Sequence, residues 1–461
     1  MIRADLVIRN IVDFSGRPII AAIREGRILA RGSDLSVAGP ELDGRGATLV
    51  PGFHDHHIHI MASAARLYSI DLSRLASESA VVGALRSGAA SKPSGTWIRA
   101  IGYDERVVGL PDAARLDDWL PEHALRMQDR TGALWMLNQA GLDILGGGPY
   151  PPGVELTPSG CPTGRIWRED AWLRARIGAQ APDLACLGTQ LARYGVTGLS
   201  DAGAHNGPAE AELLAMAHRH GDLPQRLMIL GREELTPGEF YVLGPVKILI
   251  DERDLPDHEA IESRIRVARR LNRPVAAHCV TLTELLFYLS TLEAAGGACP
   301  GDRIEHGGII PANLLPELTR TGLTIVTNPA FIHDRGDRYL REIDPAEWAD
   351  LYRLGSLLRA EIPVAAGSDG PYGALDPLVS VRAAMTRRTS AGGVVGPAEC
   401  VSCRAALGLY FGAANQPARP RRCLPPDDLA DLCLIESINH PDRMRVTATL
   451  IGGRIHWLAD R

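Results

Sequence analysis

Phe53-His-Asp-His-His-Ile-His-Ile60 ends the run that begins at Val50, and how it is read decides the fold. In a strand, alternate residues share a side, so Asp55, His57 and His59 face one way and His54 and His56 the other. Two imidazoles on one side of a strand can grip a single metal ion. His54 and His56 read instead as packing or exposed polar residues. Strand-like runs recur at Val196–Ser200, Gln225–Leu230, Val246–Ile250, Val275–His278, Arg303–His306, Leu323–Thr327 and Val364–Ser368. Helical stretches such as Asp257–Leu271 and Thr281–Ala295 lie between several of them. With Val50–Ile60 as the first, eight strands follow in serial strand–helix order. That order means a parallel sheet, and the count favours a closed (β/α)8 TIM barrel over an open sheet. A second His-x-His, His218-Arg-His220, falls in a helical run, where residues two apart do not share a face, and reads as surface.

The 461 residues are 45% hydrophobic and 23% charged, which excludes disorder, collagen and coiled coil as readings of the whole. A net charge of −6, from 49 basic and 55 acidic residues, argues against a nucleic-acid partner. Short β-prone runs occupy both ends: Leu6–Arg9, Ile19–Ile23 and Arg27–Ala30, then Leu432–Ile435, Val446–Ile451 and Arg454–Trp457. Neither end can bury two sheet faces alone. They are expected to pair into one small β-sandwich domain, residues 1–52 and 422–461, with the barrel spanning 53–421. The stretch from about 63 to 190 is too long for one crossover and reads as an insertion after the first strand, helical with short strands such as Trp97–Ile101. Cysteines 161, 186, 279, 299, 400, 403, 423 and 433 are too dispersed for a disulfide framework. The single CxxC, Cys400-Val-Ser-Cys403, lacks the second pair that a zinc ribbon needs. The first residues lack the apolar core of a signal peptide, and no run of about 18 apolar residues occurs, so a cytoplasmic protein with no membrane span is expected. An isologous homodimer is the default expectation for oligomeric state.

The other chemistry-bearing residues fall at the ends of separate strands, where barrel enzymes carry their active residues. His278 and His306 each end a strand, and Asp369 follows Val364–Ser368. Lys247 sits among apolar residues in Val246–Ile250, a costly place for an unpaired ammonium. Carboxylated by CO2, its amine becomes an anionic oxygen ligand able to bridge two metal ions. His57, His59, His278, His306, Asp369 and a modified Lys247 thus suit one or two divalent metals, zinc first, with manganese, iron or cobalt also compatible. A Cys279 nucleophile beside His278 is conceivable, but strand neighbours face opposite sides, so Cys279 reads as core.

Taken in order, Pro51-Gly-Phe-His-Asp-His-His-Ile-His59, Gly244-Pro-Val-Lys-Ile-Leu-Ile-Asp251, Ala277-His-Cys279, Arg303-Ile-Glu-His-Gly307, Gly367-Ser-Asp-Gly-Pro371 and Leu429-Ala-Asp-Leu432 carry a resemblance. The chain resembles the amidohydrolase superfamily, and within it the YtcJ-like branch (amidohydrolase family 3), from about residue 4 to residue 457. The long insertion, including Trp97–Glu105, is similar too. The resemblance implies that His57, His59 and Asp369 hold the deeper metal and His278 and His306 the outer one, with carboxylated Lys247 bridging them. It also implies that Asp369 is general base and then general acid. The sequence departs from the pattern at Gly132-Ala-Leu-Trp-Met-Leu-Asn138, where relatives often carry Gly-His. The Ala133 side chain cannot hydrogen-bond a substrate or an oxyanion, and Trp135 and Asn138 read as packing residues of the insertion.

The expected function is hydrolysis of a C–N bond in a small molecule (an amide, cyclic amide or carbamate) by a metal-activated water, with Asp369 moving the proton. A mononuclear-metal deaminase on the same scaffold is the alternative, and it needs no bridging lysine. A catalytically inactive binding scaffold would have lost ligands, yet all six positions remain. Candidates for the substrate pocket are Tyr103, Asp104, Arg165, Arg168, His333, Tyr339 and Tyr372. An arginine near the mouth would suit a carboxylate through bidentate pairing.

Overall fold

A computed structural model of the protein describes residues 2–73, 75–178, 182–420, 424–438 and 440–460. Its central sheet has eight strands: β1 Phe53–Ile58, β2 Val196–Asp201, β3 Arg226–Gly231, β4 Val242–Ile248, β5 Val275–Cys279, β6 Arg303–His306, β7 Thr324–Thr327 and β8 Val364–Ala366. Each pairs in parallel with the next in sequence. Helices such as Pro208–His220, His258–Arg270, Leu282–Ala294 and Ala330–Glu342 follow β2, β4, β5 and β7. Between β3 and β4, Thr236-Pro-Gly238 interrupts the chain, and no helix forms there among the described residues. Ile58 bridges to Gly370, the His59 N–H donates to Gly370 O at 2.8 Å, and the Asp369 N–H donates to His57 O at 2.8 Å. These contacts join the first strand to the last, so the sheet is a TIM barrel. The seam is drawn by the backbone of three of the candidate ligands.

Val50–Ile60 is not one strand. Thr48–Pro51 pairs antiparallel with Leu432–Glu436 near the chain's end, and only Phe53–Ile58 belongs to the barrel. Gly52 makes the break, where the chain passes hard against β2. A Cβ at Gly52 would lie 2.2 Å from Thr197 Cγ2 and 2.3 Å from its Oγ1. Gly52→Ala is therefore expected to destabilise the fold by about 1–3 kcal/mol, seen as a lower denaturant midpoint at unchanged slope.

Thr48–Pro51 also joins the two ends of the chain. Leu6–Val12, Pro18–Arg24, Arg27–Gly32 and Glu41–Asp43 meet Leu432–Glu436, Arg445–Ile451 and Arg454–Leu458 in one eight-stranded sheet. One face buries Ile8, Ile11, Ile23, Leu49, Leu432 and Leu450. Ile2–Arg3 and Val37–Ala38 form a separate two-stranded sheet. Cys423 and the expected boundary at 422 lie outside the described residues. No disulfide joins the described cysteines.

Compactness divides the chain into residues 1–60 with 184–461, and residues 61–183. The barrel and the end sheet fall in the same unit. Helix Leu184–Arg193, within the stretch of about 63–190 expected as an insertion, falls in the first unit, and the Arg193 guanidinium lies 5.1 Å from the Trp457 ring. The 61–183 unit carries helices such as Glu78–Ala89 and Asp170–Ile177 among short strands. It holds a six-stranded sheet, with Leu134–Leu137 and Ala124–Asp129 at its centre, over a core of Leu85, Ile98, Tyr103, Trp119 and Met127. No helix among the described residues is long and apolar enough to cross a membrane.

Candidate metal centre

His57, His306 and Asp369 are buried and bring ligand atoms within 4.8 Å of one another. His57 Nε2 and His59 Nε2 each lie 3.3 Å from Asp369 Oδ1, and His306 Nδ1 lies 4.0 Å from Asp369 Oδ2. His306 Nε2 is 3.1 Å from His278 Nδ1. Five of the six expected ligands are thereby linked by short contacts. His59 lies one residue past the end of β1 rather than within it, yet still reaches Asp369. Lys247, in β4, is buried, and its Nζ has no hydrogen-bond partner among the described residues.

Two backbone conformations turn these side chains together. His306 has φ of 73° and Asp369 has φ of 52°, a region uncommon outside glycine and often found at functional sites. Regular alternation would send Glu305 and His306 to opposite sides, but the turn at His306 allows both to approach His57. The His57 and His306 ring centroids are 4.6 Å apart, and Glu305 Oε2 pairs with His57 Nδ1. Gly367 lets β8 approach β1, since a Cβ there would sit 2.5 Å from His57 N.

The charges beneath the ligands are arranged in pairs. Glu305 takes Arg303 Nε on Oε1 and His57 Nδ1 on Oε2, and Arg303 Nη2 donates to His56 O at 3.0 Å. Burial alone would raise the Glu305 pKa, but Arg303, Lys247 and His57 outweigh it and hold the carboxyl well below its usual range. Asn328 ties His306 to the seam, with Oδ1 2.7 Å from His306 Nδ1 and Nδ2 donating to Gly367 O at 2.9 Å. Asp55 Oδ1 accepts from Ser368 N at 2.9 Å and from His57 N at 3.2 Å, and burial pushes this carboxyl up to about 6. Sequence reasoning gave no role to Glu305, Arg303 or Asn328. The available signal was Arg303 and Glu305 themselves, two charges in a four-residue strand that is buried throughout.

The donor set fits a divalent cation. His57 Nε2 and Asp369 Oδ1 are buried, 3.3 Å apart, and make no hydrogen bond. Two such atoms that close need a positive charge between them, a metal ion or a proton on Nε2; burial alone would lower the His57 pKa, but Glu305 and Asp369 raise it. Burial pushes His278 down to about 4, reinforced by Lys247, and pushes His306 well below its usual value, so both rings offer lone pairs at neutral pH. Burial would raise Asp369, but the surrounding imidazoles outweigh it and keep the carboxylate ionised. Burial lowers the Lys247 pKa, and Arg303 adds to the effect against the pull of Glu305 and Asp369.

Of the expected pocket residues, Tyr372 contacts this cluster. Its half-exposed ring stands edge-on to His59, centroids 6.0 Å apart. His333, in helix Ala330–Glu342, has its Nδ1 3.0 Å from Asp334, and Tyr339 stacks on buried Tyr352. Tyr103 and Arg165 make contacts within the 61–183 unit. Tyr103 is buried in the 61–183 core with its hydroxyl donating to Gly109 O at 2.8 Å. Arg165 is spent on Glu155 and on the carbonyls of Leu110 and Pro111. Asp104 caps helix Glu105–Val108 and binds Arg106, which lowers its pKa to about 2. Arg168 is exposed and adopts φ of 54°. Trp135 Nε1 donates to Asp170 at 2.8 Å, and buried Asn138 caps helix Gln139–Leu145. His54 and His56 are both buried and stacked, centroids 4.5 Å apart, with His54 Nε2 2.9 Å from Ser200 Oγ. Cys279 is buried, and burial raises its thiol well above the usual value. His220 is exposed, whereas His218 is half-buried with Nδ1 2.7 Å from Leu223 O.

The sequence model of the amidohydrolase family matches residues 41–456. The chain is 26% identical to the N-substituted formamide deformylase of Arthrobacter pascens, over 84% of this chain and 83% of that one. It is 22% identical to the Bacillus subtilis (strain 168) protein bearing the name amidohydrolase YtcJ, over 80% of each. Its fold is similar to that of a metal-dependent hydrolase from Pyrococcus horikoshii, with TM-score 0.75 at 18% identity, covering 94% of this chain and 99% of that one. A family match from residue 41 to residue 456, on a barrel whose strand ends gather these ligands, has one reading: the chain belongs to the amidohydrolase family and is a hydrolase.

Proposed function

We propose that this protein hydrolyses a C–N bond in a small molecule (an amide, a cyclic amide or a carbamate) with the help of one or two divalent ions, zinc first by ligand type. The observation that carries the reading is the unbonded opposition of His57 Nε2 and Asp369 Oδ1 beside His59, His306 and His278. His57, His59 and Asp369 would hold one ion. His278 and His306 would hold the second, with Lys247, carboxylated by CO2, between the two. Such an ion lowers the pKa of a bound water toward neutrality and polarises a carbonyl. Asp369 stays ionised in this pocket, so its carboxylate can take a proton from the attacking water and return it to the leaving nitrogen. The name of the Arthrobacter relative, a deformylase of N-substituted formamides, supports the choice of bond.

One observation favours a single-ion site, and with it a deaminase: the buried Glu305 charge acts on Lys247 and opposes a second anion there. Zinc per chain by elemental analysis separates the readings. It is paired with a screen of N-substituted formamides, cyclic ureas, carbamates and aminated heterocycles. The bridged pair expects two ions and turnover of the first three classes, the single-ion reading one ion and turnover of the last, and in both turnover is lost with a chelator and restored by zinc. Turnover unaffected by complete metal removal would overturn both. We also propose that the end strands, residues 1–52 and 422–461, form a small β-sandwich domain. The packing of Ala4, Val7, Ala22 and Val37 into one cluster supports this.

A further inference from the structure

We infer that Glu305, braced by Arg303, is a positioning residue for metal retention: it holds the His57 imidazole with its proton on Nδ1 and its lone pair on Nε2. The inference rests on the metal-centre reading above. Both Glu305 oxygens are engaged, Oε1 by Arg303 and Oε2 by His57 Nδ1, and Arg303 is fixed in turn by His56 O at 3.0 Å. The bracket therefore runs from β6 to β1 and leaves the ring little freedom to turn.

Arg303 forms a direct pair with Glu305 through Oε1, both groups fully enclosed. The second oxygen bears on the His57 ring. A carboxylate accepts and never donates, so contact with Nδ1 admits only the form of His57 that carries a proton there. In neutral His57 the lone pair then lies on Nε2, the atom 3.3 Å from Asp369 Oδ1. A carboxylate on the far nitrogen also makes an imidazole a better electron-pair donor. His306 is held differently, by the neutral amide of Asn328 at 2.7 Å. His57 Nδ1 has a carboxylate in direct contact, whereas Asp369 Oδ2 lies 4.0 Å from His306 Nδ1.

The test is zinc affinity, measured by competition with a chromophoric chelator at neutral pH, in wild-type protein, Glu305→Gln and Asn328→Ala. Glu305→Gln is expected to weaken zinc binding about 10–100-fold. Asn328→Ala should weaken it less. The wild-type protein should also show a slowly exchanging downfield proton resonance from His57 Nδ1, absent in Glu305→Gln and in His57→Gln. A purely structural ion pair would move unfolding temperature but neither of these readouts. Glu305→Gln protein that binds zinc as tightly as wild type overturns the inference and leaves the metal centre standing. Wild-type protein that binds no zinc overturns the metal centre itself. If Glu305→Gln does not fold, Glu305→Asp serves instead, because it keeps the charge but shortens the reach to Nδ1. It too should bind zinc more weakly, and equal affinity would count against the inference.

Discussion

Asp369→Asn is expected to cut turnover by about 10²–10⁴-fold, the range for loss of a general acid–base group. The fold should survive, because Asp369 contributes to the barrel seam through its backbone N–H, which donates to His57 O at 2.8 Å. Asparagine has nearly the same shape and can still offer Oδ1 to a cation beside His57 and His59. Its amide cannot take a proton from water. Steady-state rates should therefore be measured at saturating zinc, with metal content determined on the same sample. A variant that keeps its zinc and its rate would remove Asp369 from the chemistry. A variant that loses both zinc and rate would give it a ligand's role alone. Only a zinc-loaded variant with little activity supports the proton-transfer role.

The barrel was legible because its strands announce themselves locally, as short apolar, β-prone runs that end in polar residues. His57, His278, His306 and Asp369 stood out for the same reason. What the sequence hid was set by contacts between distant segments. Gly52 looks like any turn glycine until Thr197 of β2 is placed against it, and so Val50–Ile60 reads as one strand. Glu305 sits inside a segment recognised for its histidine, yet strand alternation argues that it faces away from His306. The left-handed backbone at His306 breaks that rule, and no pattern in the sequence marks the turn. Tyr103 reads as a pocket residue because it ends a strand beside Asp104. Its hydroxyl is spent on Gly109 O, and its ring on the core of the 61–183 unit. The six-stranded sheet of that unit was hidden for a similar reason. Strands as short as Ile70–Asp71 have no periodicity to detect, and their pairing comes from far along the chain.

Lys247→Met separates the two forms that the centre can take, and a loss of one zinc per chain is expected. Lys247 Nζ is buried without a hydrogen-bond partner among the described residues, an unfavourable state for an amine. Carboxylation resolves it, since the carbamate oxygens would reach cations on either side and the charge would be balanced there. On that account methionine removes a ligand to both ions, zinc falls from two per chain to one, and turnover drops by about 10²–10³-fold, consistent with losing a few kcal/mol of transition-state stabilisation. Native mass spectrometry of the wild-type protein should show an excess of one CO2, absent from the variant, and activity should fall when bicarbonate is stripped. The opposite result is equally specific. An unmodified lysine exchanged for methionine trades a buried amine for an apolar chain of similar length and removes the cost of enclosing that amine. A Lys247→Met protein with a higher unfolding midpoint, unchanged zinc and unchanged turnover would show that Lys247 is no ligand. The charge of Glu305 would then have kept the amine uncarboxylated, and the single-ion reading would replace the bridged pair.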